Sequence, residues 1–203
     1  WSVALHLGLA CCFVYILLWQ FFAMRKIEGA NWKVFSVPDE FKHNELKRYT
    51  ILTASIFLLL ILGAWVSSSP NANQGCSIGF PDGWPKCQGD VLPSLDNSGI
   101  LVQMVHRIGA GVVGLALIFG VMKFKENARE QGVHDTYSKC LDTAGAFWLA
   151  NVFVGGLYIV YAKMGDFPES LSLLHLVLGV ASFLSASIGL MLLRLSEEGA
   201  EDE

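Results

Sequence analysis

Residues 49–66, YTILTASIFLLLILGAWV, contain no charged side chain and almost no polar one. A helix on the surface of a soluble protein needs a polar stripe, and this segment has none. Four other stretches read alike. We place the five spans at 2–23, 50–66, 100–122, 142–162 and 171–193, each near the roughly 17 to 25 residues that a helix needs to cross the hydrocarbon core. The second is the shortest, and a thin bilayer or a lining of neighbouring helices accommodates it. The alternative, five buried helices of a soluble bundle, would require polar faces that these segments lack. With 53% hydrophobic and only 16% charged residues, the latter gathered in clusters, the composition agrees. The fold class expected is an all-α integral membrane protein with five transmembrane helices. The net charge of −4 is largely local, because the tail RLSEEGAEDE holds five of the acids, and it argues against a nucleic-acid partner.

Lys and Arg set the orientation. The connection 24–49 carries Arg25, Lys26, Lys33, Lys42, Lys47 and Arg48, and the connection 123–141 carries Lys123, Lys125, Arg129 and Lys139. The other two connections, 67–99 and 163–170, carry only Lys86 and Lys163. By the positive-inside bias these last two lie outside, so the chain enters from the outside and ends in the cytoplasm. The outer loop contains GCSIGFPDGWPKCQG, residues 75–89. On an oxidising face, thiols at Cys76 and Cys87 are expected to be joined, closing a short loop worth about 3 kcal/mol and stiffened by Pro81, Gly83 and Pro85. A rigid lid is the simpler role; a redox-active pair is the alternative. Zinc lacks ligands there, since no histidine is near. Cys11, Cys12 and Cys140 read as packing residues.

Of five histidines, His43 and His134 fall in charged connections, whereas His6, His106 and His175 are inside apolar helices, where an imidazole is costly without a partner. His106 and His175 each lie a few residues into a helix that starts outside, at matched depths of roughly 8 to 11 Å. Two such rings on different helices could clamp one iron, with Gly109, Ala110, Gly111 and Gly114 after the first and Gly179, Ser182 and Ala186 after the second giving a flat macrocycle clearance. Small residues that simply let helices pack closely are the alternative reading. Arg107 is placed to pair with a propionate or to reach headgroups. Asp142 is expected at the cytoplasmic interface and Asn151 in a bond between helices. Trp19, Tyr49, Trp65 and Trp148 are expected at the interfaces as an aromatic belt. Segment 24–49, with Trp32, Val34 and Phe35 among its charges, is expected along the cytoplasmic surface.

An internal echo, LHLGL at 5–9 and LHLVL at 174–178, suggests a four-helix repeat. Helices two to five then form one antiparallel unit with His106 on its second helix and His175 on its fourth, and the first helix ends an earlier unit. The chain begins WSVALHL without an initiator Met, as a truncated chain would.

The combination of LGAWVSS, C-x₁₀-C with WPKCQG, Pro93, MVHR, NVFVGGLYIV and SLLHL across residues 1–193 resembles the heme A synthases, membrane enzymes that convert heme O to heme A for terminal oxidases. The resemblance implies two four-helix halves, each able to hold a heme between two histidines. Residues 1–23 would be the last helix of an otherwise absent N-terminal half, 24–49 a cytoplasmic linker, 50–193 the C-terminal heme-binding half, and 194–203 an acidic cytoplasmic tail. On this resemblance His106 and His175 match the ligands of a heme b cofactor, with Arg107 beside it, and His6 matches a ligand of the substrate heme. Gln103 stands where the other half of the family carries a glutamate, so the catalytic carboxylate belongs to the absent part. The partners implied are heme O and heme A, the lipid bilayer of a bacterial inner membrane, heme O synthase or oxidase assembly factors, and a homo-oligomer. A non-enzymatic membrane cytochrome b, passing electrons from a quinol to an outer acceptor, is the competing class.

Overall fold

The computed structural model describes residues 2–29, 32–69 and 75–197. Trp1, residues 198–203 of the acidic tail and the side chains of Lys33 and Val34 lie outside the described residues. Five helices follow one another: α1 (Ser2–Ile27), α2 (Asp39–Ser68), α3 (Ser98–Glu130), α4 (Thr136–Val160) and α5 (Glu169–Leu195), with a 3-10 turn at Trp32–Phe35. Each of the five is long and apolar enough to cross a membrane. Among the described residues there is no strand, only isolated bridges between Cys87 and Asp90 and between Lys163 and Asp166. The protein is an all-α, multi-pass membrane protein.

Helices α2 to α5 form an antiparallel four-helix bundle: α2 packs on α3, α3 on α4, α4 most extensively on α5, and α5 back on α2. Helix α1 lies outside it, against α2 and α5. Helices α3 and α5 therefore face each other across a diagonal. The α4–α5 seam is closed by small and polar residues. Ser182 Oγ donates to the Ala144 carbonyl at 2.8 Å, and Ala144, Ser182 and Ala186 are fully buried, which is how apolar solvents favour helix association.

The helices run further than hydropathy alone indicates, most of all at the end away from the cysteine loop. Helix α2 begins at Asp39 and α4 at Thr136, while α3 continues to Glu130. Helix α2, with 30 residues, is thus not the shortest span. Its added turns are amphipathic, with Phe41, Glu45 and Tyr49 buried one turn apart. Phe124 lies edge-on to both Phe41 and Tyr49. The Tyr49 hydroxyl donates to the Tyr137 carbonyl at 3.1 Å. Buried Glu45 accepts from Arg48 and, at 2.6 Å, from Asn127 of α3, so the charge enters the interior with partners. Tyr49 and Trp148 are core residues, 0% and 5% exposed, rather than members of an interfacial belt. Both sit at helix–helix seams, where packing overrides the interfacial preference of aromatic rings.

The segment between α1 and α2 is fastened to the end of α5. Lys26 Nζ and Trp32 Nε1 donate to the Leu195 carbonyl at 2.7 and 2.9 Å, and Lys42 Nζ donates to the Ser196 carbonyl at 2.9 Å. The Val37 amide donates to the Glu197 carbonyl at 3.2 Å. Carbonyls left over at a helix C-terminus are satisfied here by cations and an indole from elsewhere in the chain. Asp142 is exposed and pairs with Lys125 at 2.7 Å.

Candidate functional site

His106 lies on the face of α3 that carries Gln103, Ala110, Val113 and Leu117, while Leu101, Val105, Ile108 and Val112 are exposed on the opposite face. His175 shares a face of α5 with Gly179, Ser182 and Ala186. Both rings thus point into the bundle from diagonally opposed helices. Their centroids are 6.5 Å apart with planes 80° to each other. Each ring is half-buried.

The two imidazoles are held differently. His175 Nδ1 lies 2.9 Å from the Asn151 backbone carbonyl on α4. A carbonyl only accepts, so Nδ1 carries the proton and Nε2 keeps its lone pair. His106 Nδ1 is buried and makes no hydrogen bond. Each ring also rests against a glycine of a neighbouring helix, Gly63 of α2 under His106 and Gly155 of α4 under His175. Most of the small residues that follow the histidines serve neighbouring side chains instead of leaving clearance. Gly109 receives Leu59, Gly114 receives the Trp148 indole, and Gly179 receives Leu60 and Asn151. Gly111, by contrast, faces open space.

The cysteine loop covers this end of the bundle. Cys76 and Cys87 form a disulfide. The cystine is buried against Ile100 and Met104 of α3, the turn before His106. The loop is fixed at three more points. The Gly79 amide donates to the Ile159 carbonyl at the end of α4 at 3.1 Å, the Trp84 indole packs on Gly156, and Arg107 Nη1 donates to the Lys86 carbonyl at 2.9 Å. Arg107 Nη2 is buried without a partner. His6 is exposed on α1 and is not brought to the ring pair, and His43 and His134 are exposed at the far end.

Two imidazoles could hold a metal only if other donors come with it, because among the described residues no three His, Cys, Asp or Glu side chains are grouped to bind one. A porphyrin would bring four nitrogens of its own, so His106 and His175 would be the two protein residues needed to hold its iron. Two shallow clefts, of about 480 and 280 Å³, lie at the opposite end and share no residue with this site. The Lys86 carbonyl and the Asn151 carbonyl as a ring partner do not stand out from sequence; Gly63 and Gly155 fall inside LGAWVSS and NVFVGGLYIV, where nothing marks them as ring contacts.

The family model described as COX15-CtaA, cytochrome oxidase assembly protein, matches residues 1–187. The chain belongs to the COX15-CtaA family. Curated relatives of this COX15-CtaA chain are named heme A synthase. That of Alkalihalophilus pseudofirmus is 27% identical over 161 residues, covering 78% of this chain and 49% of the relative. That of Lysinibacillus sphaericus is 25% identical over 145 residues, 70% of this chain and 43% of the relative. That of Shouchella clausii is 34% identical over 77 residues, 37% of this chain and 24% of the relative. The chain spans about half the length, or less, of these curated relatives. No solved structure matches it.

Proposed function

We propose that this chain holds the cofactor half of a heme A synthase, with His106 and His175 as the axial ligands of a heme b and the methyl group of heme O oxidised to the formyl group of heme A elsewhere in the whole protein. The observation that carries the reading is the pair of imidazoles aimed at each other across the bundle diagonal, 6.5 Å apart. Supporting it, buried polar atoms beside the ring pair lack protein partners, namely His106 Nδ1, Arg107 Nη2 and Asn151 Oδ1, and a polar group bound there would satisfy them. A heme with two imidazole ligands has no open position on iron and supplies electron transfer rather than oxygen binding.

The residues divide the work. His175 presents Nε2 because the Asn151 carbonyl claims the proton at Nδ1. Arg107 anchors the lid through Nη1 and offers Nη2 to a propionate carboxylate. The stapled loop closes the outer mouth and keeps water from the rings. His6, exposed on α1, is assigned to the substrate heme. In this reading 1–23 completes the N-terminal half, 24–49 links the halves, the loop lies on the outer side of a bacterial inner membrane, and the tail from 194 is cytoplasmic.

A pyridine hemochrome spectrum of the purified chain tests the ligand set: a b-type spectrum is expected, and it should be lost from His106→Ala and His175→Ala. Turnover is tested by expressing the full-length protein with heme O and extracting the pigment. Heme A is the expected product; a normal b-type spectrum without heme A would favour an electron-carrying cytochrome b.

A further inference from the structure

We propose that Gly63 and Gly155 are positioning residues that set the bite of the imidazole pair, each serving as the seat on which one ring lies. The inference rests on the reading of His106 and His175 as axial ligands. The geometry of the two seats is alike. A Cβ placed on Gly63 would stand 3.0 Å from Cε1 of His106, with Nδ1 at 3.6 and Nε2 at 3.7 Å; one placed on Gly155 would stand 2.8 Å from Cε1 of His175, with Nδ1 at 3.0 and Nε2 at 3.6 Å. In both cases all three of those ring atoms are within reach of the added carbon, so a methyl group would press on the ring itself and not on the tip of a flexible chain. The seats come from the two helices that separate α3 from α5 around the bundle, α2 for one ring and α4 for the other.

An imidazole has only two torsions with which to yield. His175 is further restrained by the bond from Nδ1 to the Asn151 carbonyl, one turn before Gly155 on the same face of α4. A side chain at Gly155 would therefore break that bond or drive the ring toward its partner. His106 has no such bond and would turn about its own axis. Either movement changes the angle or the distance at which a nitrogen meets a shared metal, and positions of this kind tolerate displacements of only about 0.5 Å.

The same bundle provides a control. At Gly145 on α4 an added methyl group would meet nothing within 4 Å, so alanine is accommodated there. The test uses the full-length holoprotein in detergent, comparing Gly63→Ala and Gly155→Ala with Gly145→Ala by heme content, ferric EPR and CO binding to the reduced form. The seat variants are expected to lose heme, or to keep it with a weakened low-spin signal and new CO binding; the control variant should match the unmodified protein. Unchanged EPR and no CO binding in folded seat variants would overturn the proposal. So would unfolding of both seat variants, judged by helical circular dichroism and Cys76–Cys87 formation, since that would make the glycines packing residues; if only one folds, that one decides. His106→Ala and His175→Ala are read in parallel. If those two keep the full heme content and the full low-spin signal of the unmodified protein, with no loss beyond the constant contribution of a heme in the other half, the ligand assignment itself fails, a result distinct from silent glycine variants.

Discussion

Tyr49 occupies a slot that exists only because residue 189 is a glycine: a Cβ there would overlap the Tyr49 hydroxyl and press on Cys140 at 2.8 Å. The hydroxyl in turn satisfies the Tyr137 carbonyl. Gly189→Ala should lower stability by about 1–3 kcal/mol through overpacking, and Tyr49→Phe by about 1 kcal/mol through the lost hydrogen bond. Because the two act on the same atoms, the double variant should be less destabilised than the sum, which thermal unfolding in detergent will measure as a coupling. At Arg107 the expected effect is on the lid. Arg107→Gln removes the charged donor to the Lys86 carbonyl, so the Cys76–Cys87 disulfide should be reduced faster by a water-soluble phosphine, followed by mass-tagging of the freed thiols. Arg107→Lys should not restore the slower rate, since one ammonium cannot reproduce the guanidinium's fixed fork.

At the scale of elements, α5 ends on borrowed donors. Lys26→Met with Lys42→Met should free the Leu195 and Ser196 carbonyls from their cations, each at a cost of about 1 kcal/mol. Amide exchange should rise in the last turn of α5 and stay unchanged in its first. Helix α2 carries the other expectation: Glu45→Ala strands Asn127 and Arg48 beside a buried void and should cost about 3–5 kcal/mol, read as a lowered melting temperature, while Glu45→Gln should retain much of the loss. The middles of all five helices are legible in the sequence because hydrocarbon admits almost nothing polar along a span. Their ends at Asp39, Glu130 and Thr136 are not, because a helix that continues into water carries charges and leaves no hydropathy signal. The same division applies to the candidate site. His106 and His175 stand out because a polar ring in an apolar helix needs a reason, whereas Gly63 and Gly155 acquire meaning only from the register of α2 against α3 and of α4 against α5, which no local pattern encodes. Tyr49 and Trp148 are misplaced by sequence reasoning for a related cause: burial at a seam and anchoring at an interface use the same aromatic residues.

For the whole molecule, the disulfide is the one covalent cross-link among the described residues, and Cys76→Ser or Cys87→Ser should lower stability by about 3 kcal/mol by freeing the loop in the unfolded chain. Denaturant titration under non-reducing conditions will check it, with the unmodified protein under reducing conditions expected to match the variants. That tie closes one end of the bundle; the other end is closed by hydrogen bonds from Lys26, Trp32 and Lys42 to the last turn of α5. A tug on the polypeptide beyond Glu197 therefore does not peel the final helix away alone. It loads α1 and α2 at the same moment, spreading tension over three rods in shear, and the bundle should give way in one mechanical step.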